Sequence, residues 1–130
     1  MTGNSVGGVL TAYTAAKDTR IRVASPSCAF TSVMSAEGFI CHCDCCLIPK
    51  LRDWGDWKEL GGLVAPRHLL IVHGVSDSVH HPPTVEKLAS SIREIFQAAG
   101  VPNHTELAWG NSGHRFYPKL MWPFFEKGLR

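Results

Sequence analysis

The sequence predicts an α/β protein built on a small parallel sheet. Three observations carry that expectation. HLLIVHG at 68–74 is a nearly unbroken apolar run closed by glycine, the composition of a strand buried on both faces. Between Thr84 and Ala99, the residues Val85, Leu88, Ala89, Ile92, Ile95, Phe96 and Ala99 recur at the helical period, and Gly100 with Pro102 supplies the stop. Stretches of helix and strand character alternate along the chain, which calls for parallel strands joined by right-handed crossovers.

Taken in order, VGGVLTAYTAAK, from Val6 to about Lys17, is small and apolar enough for a helix lying close against a sheet. Gly7 and Gly8 would permit that approach at some loss of helix propensity. IRVASP at 21–26 is a short strand ending in proline. Residues 31–65 read as a long irregular excursion carrying short helices. After the strand at 68–74 and the helix from Thr84 comes HTELAW, 104–109, as the next strand. A last helix is expected from about Pro118 to Leu129, with Pro118 in the first turn and Pro123 bending or splitting it. The count is about three parallel strands with flanking helices.

The bulk properties narrow the function. A chain of 130 residues, 45% hydrophobic and 18% charged, suits one soluble domain spanning 1–130 with a core of its own. A net charge of +2 from scattered Lys and Arg gives no footprint for nucleic acid. No apolar run approaches the roughly 20 residues needed to cross a bilayer, so no membrane partner is expected. Five cysteines, an odd number without a recognisable leader, fit a reducing cytoplasm, the expected location.

The chemistry begins at GNSVGG, residues 3–8. G-x-S-x-G is the pattern of a nucleophile elbow, a strained turn from strand to helix that exposes a serine at its tip. Ser5 would be the nucleophile, and the following backbone N–H, that of Val6, would face the developing oxyanion. The alternative is a plain turn with a capping serine. Asp77 follows the buried strand by three residues, at its C-terminal end, where open α/β sheets place their ligands. A carboxylate there orients an imidazole; alternatively it bonds only its own turn. His114, in the glycine-flanked loop GNSGHRFY, would be the general base. Each residue follows its own strand, in the order Ser, Asp, His that an α/β-hydrolase requires.

GNSVGG, APRHLLIVHGVSD, GNSGHRFY and the WPFF of the last helix together resemble the C-terminal half of an α/β-hydrolase, near the dienelactone hydrolase and acetyl xylan esterase-like branches. The resemblance covers essentially the whole chain. It implies a truncated α/β-hydrolase fold and a serine hydrolase on short-chain carboxylic esters or lactones, with Ser5, Asp77 and His114 as the triad. It implies no cofactor and a small-molecule partner. Such hydrolases carry about five strands before this point, including the one that feeds the elbow, and a loop with the second oxyanion donor. With only Met1 and Thr2 ahead of Gly3, that strand is expected to be missing. The edge at 21–26 would then be bare and would drive homo-oligomerisation.

Two other readings stand beside this one: a catalytically inactive remnant held together by oligomerisation, and a thiol-rich metal-binding protein. The last rests on CHCDCC, 41–46, although a structural zinc site draws ligand pairs from separate segments and Cys28 cannot supply a second pair. The expectation is therefore no metal. His80 and His81, just past Asp77, are pocket candidates or simply the lead into the next helix. Trp54 and Trp57 are candidates for the walls of an acyl pocket or for the core. His68 and His73 bracket a strand and read as structural.

Overall fold

A computed structural model of the chain describes residues 1–36 and 48–130. Among them, four parallel strands lie in the order β1-β2-β3-β4: β1 Thr2–Asn4, β2 Val23–Ser27, β3 His68–Gly74 and β4 Thr105–Gly110. Five α-helices accompany them: α1 Val6–Lys17, α2 Leu51–Trp54, α3 Trp57–Gly62, α4 Pro82–Ala98 and α5 Pro118–Leu129. The three strands expected are present, and the fold is α/β with flanking helices.

The fourth strand is the correction to the count. Thr2–Asn4 lies in register with Ser25–Ser27, Thr2 opposite Ser25 and Asn4 opposite Ser27. Three residues suffice because their bonds run to an existing neighbour; the Met1 carbonyl also accepts from Ser25 N–H at 2.9 Å. The inner edge at β2 is therefore covered, and β1 is itself an edge.

The sheet is the middle of three layers. On one face, Ala24, Leu69 and Ile71 meet α1, α3 and α4 in a core that includes Phe30, Trp57, Ile92 and Phe96. On the other, Val23, Leu70 and Val72 meet Tyr117, Met121 and Phe124 around α5. Alternate residues of β3 feed the two cores, which is why its run is continuously apolar. Helix α4 buries Val85, Leu88, Ala89, Ile92 and Phe96, and each larger side chain contributes about 1.5–3 kcal/mol. Ile95 is half-buried, and Ala99 lies past the helix end, exposed.

One detail departs from expectation and another decides between two readings. Helix α5 runs unbroken through Pro123, which faces solvent while Met121 and Phe124 on either side anchor the helix to the sheet. Trp57 is not a pocket wall. Its ring is fully buried edge-on to Phe30 (5.0 Å) and Tyr13 (5.8 Å), at the start of a helix that Asp56 and Glu59 close with a capping box. Trp54 is 58% exposed and lies in neither core. The CHCDCC segment lies outside the described residues.

Candidate functional site

All three predicted chemical residues stand at C-terminal strand ends. Asp77 and His114 are brought together by a zipper. Beyond their last paired residues, β3 and β4 continue side by side: Val75 N–H donates to the Gly110 carbonyl at 2.9 Å and Ser76 N–H to Ser112 at 3.1 Å. Tyr117 anchors the histidine loop, its hydroxyl donating to the Gly113 carbonyl at 2.6 Å. A side chain at Gly74 would overlap the Ser112 and Gly113 carbonyls, and one at Gly110 would overlap the Tyr117 ring, so the glycines that close the two strands are steric requirements.

The result is a histidine–carboxylate pair. His114 Nδ1 lies 3.0 Å from Asp77 Oδ2 and 3.2 Å from Oδ1. Asp77 also accepts from the backbone N–H of Val79 at 2.8 Å and of His80 at 3.3 Å, both through Oδ1. Both sequence readings of Asp77 thus hold at once: it ties its own turn and faces the imidazole. Burial alone would push its carboxyl up. The imidazoles of His73 and His114, the Val79 N–H and the field of His80 outweigh that and hold it well below the usual carboxylate range. It is an anion pointed at His114.

Ser5 sits where an elbow would put it. Its backbone has φ 55° and ψ −120°, a conformation in which L-residues are strained by about 1–3 kcal/mol. Ser5 N–H closes the sheet ladder on the Ser27 carbonyl, and its own carbonyl accepts from Val9 to begin α1, both at 2.9 Å. Strand and helix thus meet at one residue. Gly3 is what permits the turn, since any Cβ there would overlap the backbone of Gly7. Gly8 lets α1 lie against Ala29 and the Ser27 carbonyl, whereas a Cβ at Gly7 itself would meet nothing. The Ser5 hydroxyl makes no capping bond to α1, which removes the plain reading of a helix-capping serine. Val6 opens the helix, so its N–H is among those with no intrahelical acceptor.

The two groups share one rim through their neighbours. Ser27 Oγ donates to Asn4 Oδ1 at 3.0 Å and lies 3.4 Å from the carbonyl of Arg115, joining the residue before Ser5 to the residue after His114. No hydrogen bond links the Ser5 hydroxyl to His114 in the hydrogen bonds of the described residues.

His81 opens α4 and lines a cavity of about 700 Å³ with Ser32, Asp56, Lys58 and Thr84. Ser5, Asp77 and His114 do not line it. His80 is buried instead, its Nδ1 3.4 Å from Asp77 Oδ2 and its ring stacked on His114 at 5.6 Å. Two neighbours of Asp77 were not assigned to the site from the sequence, which read His73 as structural and Cys28 only as unable to supply a second ligand pair. His73 is fully buried with Nδ1 3.8 Å from Asp77 Oδ2, and the Cys28 thiol, Asp77 and His114 have donor atoms within 4.8 Å of one another. The available signal was a histidine inside an apolar strand four residues before the aspartate. Burial raises the Cys28 thiol, so it stays protonated.

Comparison with known proteins bears on the fold. No family model matches. The protein named "Putative hydrolase YtaP" of Bacillus subtilis (strain 168) is 27% identical over 120 residues, which cover 86% of this chain and 38% of that one. A carbohydrate esterase family 15 glucuronoyl esterase from Caldicellulosiruptor kristjansonii superposes with TM-score 0.76 at 20% identity, over 95% of this chain and 40% of its own. Methylesterase BT1017 gives 0.74 at 21% identity (98% and 29%), and the glucuronoyl esterase catalytic domain from Hypocrea jecorina gives 0.74 at 17% (98% and 43%). The chain spans well under half the length of each. It carries a partial α/β-hydrolase fold.

Proposed function

We propose that this chain belongs to a serine hydrolase that cleaves carboxylic esters or lactones, with Ser5 as nucleophile, His114 as base and Asp77 as its orienting carboxylate. The observation that carries the reading is the strained, uncapped Ser5 turn on the same rim as a 3.0 Å histidine–carboxylate pair. In this scheme the Ser5 hydroxyl attacks the carbonyl carbon as its proton passes to His114 Nε2. Asp77 then stabilises the imidazolium through Nδ1–H. The Val6 N–H donates to the oxyanion. Collapse of the tetrahedral intermediate expels the alcohol, which takes the proton from His114, and water releases the acid by the same steps. Serine–histidine bonds are often long or unformed without substrate and tighten when it binds.

The names of the structural neighbours, glucuronoyl esterases and a methylesterase, favour a carboxylic ester substrate. Simple methyl and short acyl esters are therefore the first to assay. The Val6 N–H is the oxyanion donor assigned here, and loss of one donor from such a hole costs on the order of 10² to 10³ in turnover. The test is p-nitrophenyl acetate hydrolysis and fluorophosphonate labelling beside Ser5→Ala. Labelling lost in the variant is the expected result; equal background in both would leave a non-catalytic scaffold as the better reading. The unformed Ser5–His114 bond is the observation in that second reading's favour.

The edge strand β1 and the exposed Met1, Val6 and Leu10 beside it support homo-oligomerisation. Light scattering that returns a monomer across a wide concentration range would refute it. Among the described residues no helix is long and apolar enough to cross a membrane.

A further inference from the structure

The surroundings of Asp77 hold more imidazole than a triad uses. Three rings turn Nδ1 toward one oxygen, Oδ2: His114 at 3.0 Å, His80 at 3.4 Å and His73 at 3.8 Å. His114 suffices to pair with the carboxylate. His73 is 0% exposed, and neither of its ring nitrogens has a hydrogen-bond partner. An imidazole buried with both nitrogens unsatisfied costs free energy unless something completes it.

The donor atoms of His73, Asp77 and His80 all lie within 4.8 Å of one another. Zinc bonds to nitrogen and oxygen are about 2.0–2.2 Å, so neighbouring ligand atoms of a tetrahedral ion stand about 3.3–3.5 Å apart. The two Asp77–histidine separations therefore sit at that spacing or need to close by a few tenths of an ångström. Two imidazoles and a carboxylate are also a ligand set suited to a divalent transition metal.

We propose that His73, Asp77 and His80 form a binding site for a divalent transition-metal ion of the zinc class, with His114 on its solvent side, and that occupancy silences hydrolysis. Binding through Nδ1 requires each imidazole to be neutral and to carry its proton on Nε2. The metal would take the Asp77 oxygen nearer to His114, leave the base only the 3.2 Å contact with Oδ1, and draw off the carboxylate charge that stabilises the imidazolium. Binding stands independently of the esterase reading; inhibition rests on it.

The experiment uses the full chain with Cys41, Cys43, Cys45 and Cys46 all changed to Ser, so that those thiols cannot compete. After chelation, Zn²⁺ is titrated calorimetrically and Co²⁺ is followed by its visible absorption. The proposal expects a single tight site, a tetrahedral Co²⁺ spectrum without the thiolate charge-transfer band, and binding weakened at least about tenfold by His80→Ala and by His73→Phe. Ser5→Ala should bind as the parent does. Absence of saturable Zn²⁺ binding, or binding that His80→Ala and His73→Phe both leave intact, would overturn it. His80→Ala keeps the test open if His73→Phe fails to fold. In the parent chain, Zn²⁺ should suppress ester hydrolysis reversibly by chelator. Metal binding without any hydrolysis in the metal-free protein would remove the esterase reading and leave the site.

Discussion

Asp77 and His114 stand on loops that prolong the ladder between the two longest strands, whereas Ser5 stands after a three-residue strand at the sheet's edge. The first pair is held by backbone bonds from Val75 and Ser76, by the Tyr117 hydroxyl and by the turn of Asp77 itself. The second depends on one edge pairing and on glycines that let α1 lie against it. The difference teaches where each part is vulnerable. The acid–base half is orientated by redundancy, and the nucleophile half holds a strained backbone with little behind it.

Asp77→Asn tests the redundant half and carries the largest expected effect. An amide can hold the turn but cannot stabilise the imidazolium, and by analogy with other triads turnover should fall about 10⁴-fold. Steady-state hydrolysis by the pure variant is the readout; activity within tenfold of the parent would mean that another group orients the base. On the edge half, Gly3→Ala should cost several kcal/mol or prevent folding, because its methyl meets backbone. Gly7→Ala should instead be tolerated within about 1 kcal/mol, since its Cβ would enter open space and alanine favours a helix. Urea midpoints for the pair decide it, and equal losses would contradict the steric asymmetry.

A smaller effect isolates the strain. Ser5→Gly should abolish fluorophosphonate labelling yet raise stability by about 1 kcal/mol, because glycine adopts φ 55° without a Cβ penalty. A less stable glycine variant would mean that the turn is relaxed.

The smallest effect concerns pH. The buried His73 binds its proton more weakly in the fold than in the unfolded chain, where histidine titrates near 6.5. Below that pH the unfolded chain takes up more protons, so stability present above about 6.5 drains as the pH falls. His68 adds in the same direction, by burial and by the neighbouring His104, Lys127 and Arg22. Asp77, depressed in the fold, adds its loss only below about pH 4. Urea midpoints between pH 7.5 and 5 should decline, and less steeply in His73→Gln; parallel slopes would exclude His73 as a source.

Much of this was legible in advance where the signal is local. Helix α4 follows from a period that any packing partner would have to respect, and β3 from an apolar run too dense for a surface strand. The order Ser5, Asp77, His114 was readable because each residue follows its strand by a few positions. Strand β1 was not readable: three residues show no alternation, and what makes them a strand is the register offered by Ser25–Ser27. Trp57 stood open between pocket wall and core because an aromatic side chain has no sequence marker for which face it turns to; Phe30 and Tyr13 decide for the core.

By itself, then, the sequence determined the α/β alternation, the places where helices begin and end, and three chemically suited residues at strand ends. These follow from backbone periodicity and side-chain polarity, which act over a few residues. Only the tertiary structure decided that Asp77 meets three imidazoles at once, that Cys28 lies beside them, and that Ser5 is held in a strained turn free of capping. His73 and His80 lie within four residues of Asp77, but their convergence is set by the turn that ends β3, and His114, Cys28 and the Ser5–Ser27 contact join residues tens of positions apart through sheet register and zipped loops, which no short stretch of chain encodes.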